Sequence, residues 1–161
     1  MLRTNRKSSL KTNGGQFVII ASKYNAKYVD AMLNAARAEL KRAGASVKVI
    51  RVPGAFEIPV VAATLAKKSV MQPAAPEAKV SAIICLGVIL RGQTVHAEHI
   101  GRAVTDMLAG VSVHCQIPVI HEVLLLENEE QARVRCMAKK FNRGMEAAQT
   151  ALEMAGVMNS L

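Results

Sequence analysis

The chain has 161 residues, 51% of them hydrophobic, enough for one domain with a real core. Its three Cys (85, 115, 136) show no C-x-x-C spacing, no apolar run reaches membrane-span length, and the start lacks a signal-peptide core. A disulfide scaffold, a membrane protein and a secreted one are therefore not expected; the reading is a cytoplasmic protein with buried free thiols. The net charge of +9 suits an anionic ligand, but it is dispersed over the chain without a basic helix face, so nucleic acid is not an expected partner.

Residues 1–15, MLRTNRKSSLKTNGG, contain no acidic side chain and read as a flexible basic tail; residues 16–161 read as a single domain. QFVIIAS (16–22) is a short β-branched run and predicts a strand. In the next segment Val29, Met32, Leu33, Ala36 and Leu40 recur at helical spacing, and Gly44 marks the stop. SVKVIRV (46–52) alternates as a second strand, Pro53-Gly54 turns the chain, and Pro59 stands where a helix begins because its missing N–H has no partner there anyway. Residues 72–79, with two prolines, read as a loop. VSAIICLGVIL (80–90) is continuously apolar, as in a strand covered on both faces. A helix is expected over 95–115, a strand over 117–126, and a last helix over 127–156 with a break near Asn142-Arg143-Gly144; the acidic cluster at its start suits the positive end of its dipole.

Strand and helix alternate throughout. This pattern predicts an α/β three-layer sandwich, a four-stranded parallel sheet with helices on both faces. Ligands of such sheets bind beyond the carboxyl ends of the strands, which selects the loops 22–26, 52–58, 90–96 and 121–127. The first offers Tyr24, one of five Tyr and Phe in the chain. The second offers Ala55 and Phe56 as a wall and Glu57 as an acceptor for a polyol or a helix cap. The third, Arg91-Gly92-Gln93-Thr94, leads into a helix with Thr94 as expected N-cap and free N–H groups as an anion pocket. His96 falls in that first turn, where the positive helix end helps keep an imidazole neutral and able to accept a proton. His96, Glu98 and His99 lack H-E-x-x-H spacing, so no metal is expected. The fourth offers His121 and Glu122, read as polar residues at a strand's carboxyl end. Arg135 and Lys139, four apart, are expected to share a helix face suited to phosphate.

VPGAFEIP (52–59), LGVILRGQTVHAEHI (86–100) and ENEEQARVRCMAKKFNRGMEAA (127–148), in this order and at these separations, resemble the motifs of the lumazine synthases, a family of flavodoxin-like sandwiches. The resemblance covers nearly everything from Phe17 to Ala155. It implies condensation of 5-amino-6-(D-ribitylamino)uracil with 3,4-dihydroxy-2-butanone 4-phosphate, the penultimate step of riboflavin biosynthesis, without metal or organic cofactor. It implies His96 as proton shuttle. Tyr24, Ala55, Phe56, Glu57, Val88, Ile89, Leu90 and His121 would meet the ribityl chain and pyrimidine. Gly92, Gln93, Thr94, Arg135 and Lys139 would hold the phosphate. It further implies a homopentamer at least; a pentamer, a decamer and an icosahedral shell of sixty subunits all stay open as the final state, and riboflavin synthase is an optional partner. His121-Glu122 stands where the family often has Phe-Gly, and Ala97-Glu98-His99 where it often has Phe-Asp-Tyr. Competing readings are a weakly catalytic flavin- or lumazine-binding member and a structural shell component; intact His96 and Arg135 speak against both.

Overall fold

The computed structural model describes residues 15–71 and 79–161, so the basic start and most of the proline-bearing loop lie outside the described residues. The elements are β1 (Gln16–Ser22), α1 (Ala26–Arg42), β2 (Ser46–Val52), a 3-10 turn (Ala55–Glu57), α2 (Ile58–Met71), β3 (Val80–Leu90), α3 (His96–Cys115), β4 (Val119–Leu126), α4 (Glu129–Cys136) and α5 (Arg143–Ser160). The strands form one four-stranded sheet in the order β2-β1-β3-β4, all parallel. The α/β sandwich expected from the alternation is the architecture found.

Continuous apolar runs fall where both sheet faces are covered. Along β1, Phe17, Ile19 and Ala21 pack on one side with α1, α4 and α5, whereas Val18 and Ile20 pack on the other with α2 and α3. This is the two-residue alternation of a strand, apolar at every position because neither face meets water. β3 does the same with Ile84 and Leu86 against Ile83 and Cys85. β2, at one edge, keeps polar residues such as Lys48 and Arg51.

Helix boundaries follow local chemistry. α1 stops in a Schellman arrangement: Gly44, at φ 76°, donates to Lys41 O at 3.0 Å, and Ala45 donates to Leu40 O at 3.0 Å. The strand expected from 117 begins at Val119 instead. Pro118 has no N–H for a ladder, and its carbonyl accepts from Ile83 N at 2.9 Å.

The last helix is two helices. Asn128 caps α4 through its side chain, accepting from Gln131 N at 3.0 Å. α4 ends at Cys136, residues 137–142 turn with Phe141 at φ 64°, and α5 starts anew at Arg143 and runs on to Ser160. The expected break is real but wider and earlier, and α5 extends beyond 156. Asn142 makes the restart: its Oδ1 accepts from Gly144 N at 2.9 Å and its Nδ2 donates to the Cys136 carbonyl. Gly144 is dictated by contact, since a Cβ there would lie 2.0 Å from Met32 O on α1.

Candidate active site

The carboxyl edge of the sheet is laced by main-chain bonds. Lys23 N donates to Val52 O at 2.8 Å and Tyr24 N to Pro53 O at 3.1 Å, fastening the loop after β1 to the loop after β2. Asn25, held at φ 55°, donates from Nδ2 to Val88 O at 2.8 Å, which ties the first loop to β3. Arg91 N donates to Leu126 O at 2.8 Å, joining the ends of β3 and β4. The Arg91 guanidinium pairs with Glu98 in the first turn of α3 and with Glu127 at 3.0 Å. Three of the four loops carry candidate groups on this shared frame.

Tyr24 and Phe56 are strongly exposed, at 71% and 62%, on adjoining loops at the carboxyl edge. The Tyr24 ring lies over Gly54, where a Cβ would come within 2.9 Å of its edge. Two rings thus flank the Pro53-Gly54 turn, facing outward, as a surface on which a planar heterocycle can stack. Of the two expectations for Glu57, the cap is the one found: its Oε2 accepts from Gly54 N at 2.8 Å, so it holds the turn. Ala55 is nearly covered. Val88 is only 2% exposed and belongs to the core, whereas Ile89 and Leu90 reach the surface in part.

Residues 91–96 are exposed, and Gly92 has open space where a side chain would project. α3 begins at His96 after Val95, with no side-chain cap; Thr94 Oγ1 is 3.5 Å from His96 N, too long for the capping bond expected of Thr94. The first turn therefore keeps donors toward solvent, as an anion site requires. Among the described residues no three His, Cys, Asp or Glu side chains converge into a ligand set for a metal.

Two placements differ from expectation. His121 and Glu122 are not at a carboxyl end: β4 continues to Leu126, and His121 is paired with Cys85 in mid-strand. The apolar residues that follow them extend the strand, and the loop begins at Glu127. His121 faces α3. Its Nδ1 accepts from Val123 N at 3.0 Å, and its Nε2 lies 2.8 Å from Thr105 Oγ1, whose proton goes to Gly101 O. Nε2 is then the donor, so the imidazole is a neutral, doubly bonded structural group, and burial pushes its pKa below the ordinary value. The second difference concerns Arg135 and Lys139. They do not share a helix face, because α4 ends between them at Cys136.

Arg135 also stands apart from His96. α4 packs with α1 and α5 on one face of the sheet through Ala132 and Cys136, while α3 packs on the other through Val104 and Leu108. Among the described residues no hydrogen bond or ion pair joins Arg135 or Lys139 to residues 91–96. Within one chain the exposed loops at the sheet edge and the α4 end carrying Arg135 are thus separate.

Residues 14–159 match the family model described as 6,7-dimethyl-8-ribityllumazine synthase. The chain belongs to this family. Among curated proteins of the same name, it is 37% identical over 156 residues to that of Desulfotalea psychrophila, covering 95% of each chain. It is 35% identical over 161 residues to that of Xanthomonas campestris pv. campestris (98% of this chain, 99% of the relative) and 39% identical over 147 residues to that of Buchnera aphidicola subsp. Baizongia pistaciae (89% and 87%).

This lumazine synthase chain also contains an ion-pair cluster that motif reading passed over. Arg143 grips Glu122 with two nitrogens, Nε to Oε2 at 3.0 Å and Nη2 to Oε1 at 2.8 Å, and reaches Glu146 with Nη1 at 2.6 Å. Glu122 is 6% exposed, and burial lifts its carboxyl to about 7 against the pull of Arg143. One sequence signal pointed here: an arginine at the first position of a helix opposes the helix dipole and calls for counter-charges.

Proposed function

We propose that the chain performs the condensation for which its family is named. 5-Amino-6-(D-ribitylamino)uracil and 3,4-dihydroxy-2-butanone 4-phosphate give 6,7-dimethyl-8-ribityllumazine, phosphate and water. The observation that carries this is the family match over residues 14–159, with relatives of that name aligned along nearly their whole length.

Each step finds a group suited to it. The pyrimidine stacks on Tyr24 and Phe56, and its ribityl chain runs past Ala55 and Glu57 toward Ile89 and Leu90. The butanone phosphate seats its anion on the open backbone of Gly92, Gln93 and Thr94, where the α3 terminus favours negative charge. The pyrimidine amine attacks the ketone and water leaves to give an imine. Phosphate then departs, the ribitylamino nitrogen closes on the new carbonyl, and a second dehydration completes the lumazine. His96, at the head of α3 beside the phosphate loop, takes and returns protons.

Arg135 and Lys139 complete the phosphate site from a neighbouring copy. The separation of α3 and α4 across the sheet supports this: the basic patch of one chain serves the edge of the next. Such a head-to-tail contact closes into a ring, which a two-fold dimer does not supply, and a pentamer is the assembly we assign. No helix among the described residues is long and apolar enough to cross a membrane.

The test is incubation of the purified protein with both substrates while lumazine absorbance is followed. Steady formation dependent on both substrates supports the reading; bound lumazine or flavin without turnover assigns the chain to a binding role instead.

A further inference from the structure

A chain of contacts leads from the sheet to the end of α4, beside Arg135. Glu122 is buried on β4 and holds the Arg143 guanidinium in a two-point grip, 2.8 and 3.0 Å. Arg143 is the first residue of α5, and Glu146 on the next turn locks its remaining nitrogen at 2.6 Å. Its neighbour Asn142 is buried and spans the two helices, capping α5 with Oδ1 and bonding the carbonyl of Cys136 with Nδ2. Cys136 is fully buried and is the last residue of α4, immediately after Arg135. Each link is one residue or one hydrogen bond from the next. A planar fork against a carboxylate fixes direction as well as distance, which a single contact does not.

We propose that Glu122 is a positioning residue for the phosphate-binding Arg135, acting through Arg143, Asn142 and the end of α4. The inference rests on the functional reading given above. Its content is mechanical: without the grip on Arg143, α5 starts less sharply, the 137–142 turn loosens, and Arg135 meets phosphate in many orientations instead of one. Glu122 also stands near enough to Arg135 for their charges to be felt. A purely electrostatic influence has the opposite consequence, because removing a buried negative charge makes the patch more attractive to an anion. The sign of the effect therefore separates positioning from field.

The experiment compares wild type, Glu122→Gln, Arg135→Ala and the double variant at pH 8, measuring KM for each substrate and competitive inhibition by inorganic phosphate. Glu122→Gln is expected to raise the butanone phosphate KM and the phosphate inhibition constant by about tenfold, with the pyrimidine KM within about twofold. In the Arg135→Ala background the same change is expected to add less than about twofold, since the relay then has nothing to position. Unchanged or tighter phosphate binding, an effect confined to the pyrimidine, or full additivity overturns the proposal. Should Glu122→Gln fail to fold, Arg143→Lys keeps the charge, removes the fork, and is expected to show the same phosphate-selective weakening; its absence is equally fatal. Lack of turnover in wild type, or an Arg135→Ala variant with normal phosphate binding, overturns the functional reading. A defective Arg135→Ala beside a normal Glu122→Gln overturns only this inference.

Discussion

In the proposed mechanism His96 and Arg135 do different work, so they should fail differently. Proton transfer by one side chain contributes about 10²–10⁴-fold, and water can replace part of it for an amine and a ketone that react readily. Orientation of two reactants is worth more, on the order of 7–11 kcal/mol in favourable cases. His96→Ala should therefore lower kcat yet leave measurable turnover, and Arg135→Ala should be more severe, raising the butanone phosphate KM as well. Steady-state kinetics decide it: an inactive His96→Ala beside a near-normal Arg135→Ala reverses the assignment. A second pair of substitutions tests packing. Gly144→Ala drives a methyl to 2.0 Å from the Met32 carbonyl, backbone that cannot step aside, whereas Gly156→Ala on the same helix meets nothing within 4 Å. The first should cost about 3 kcal/mol or more, and the second should stabilise by up to about 1 kcal/mol by helix propensity, both read from urea unfolding. Single residues were legible unevenly. Tyr24, Phe56 and the 91–96 loop stand exposed at a strand end as expected, because their position follows from strand length alone. His121 did not, because two polar side chains inside an apolar run looked like a terminus, and only the tertiary partners Thr105 and Val123 N show how a strand interior satisfies an imidazole.

Among the elements, strands were read almost to the residue, since apolar runs bounded by Gly, Pro and polar clusters are set by burial. The α4–α5 region was harder. Asn142-Arg143-Gly144 signals a break, but residues 129–141 keep helix-forming composition, and the stop at Cys136 depends on contacts: Asn142 reaching the Cys136 carbonyl and Gly144 touching α1. The Glu122–Arg143 grip gives this region a pH dependence. In the folded chain the Glu122 carboxyl keeps its proton up to about 7, while the ordinary glutamate value is 4.5. Between these values the folded state binds more protons than the unfolded state, so stability falls as pH rises through the window, by a few kcal/mol in all. Glu122→Gln should flatten that part of the profile in urea unfolding from pH 4 to pH 8. A wild-type profile that rises across the window, with the variant unchanged, contradicts the sign. The ion pair then specifies geometry while contributing little to folding, in line with the general behaviour of buried pairs.

For the whole molecule, the separation of α3 and α4 makes a mixing experiment decisive. Subunits carrying His96→Ala have an intact Arg135, and those carrying Arg135→Ala have an intact His96. If each site draws on two copies, denaturing and reassembling the two variants together should recover activity well above either alone, and light scattering should report a ring and not a monomer. Recovery no greater than the sum of the parts places both residues in one subunit's site. The parallel sandwich itself was legible from the alternation of strands and helices; the proposed division of the site between copies came only with the family resemblance, because neither periodicity nor spacing says which surfaces of a chain face another copy.

The strand order β2-β1-β3-β4 has a consequence during synthesis. β1 lies at the centre of the sheet, yet the partner on its second side, β3, begins only at Val80, roughly 60 residues after β1 ends at Ser22. At about 5–20 residues per second, the nascent chain carries β1 with one edge unpaired for roughly 3–12 seconds. During that interval Phe17 to Ala21, all fully buried in the finished protein, have only α1, β2 and, later, α2 to cover them. This is a segment of five consecutive apolar residues with no charge, the kind that chaperones bind and that other unfinished copies can pair with. Slowed translation between codons 23 and 79 should therefore lower the soluble yield more than the same delay placed after codon 90, when β3 has joined β1.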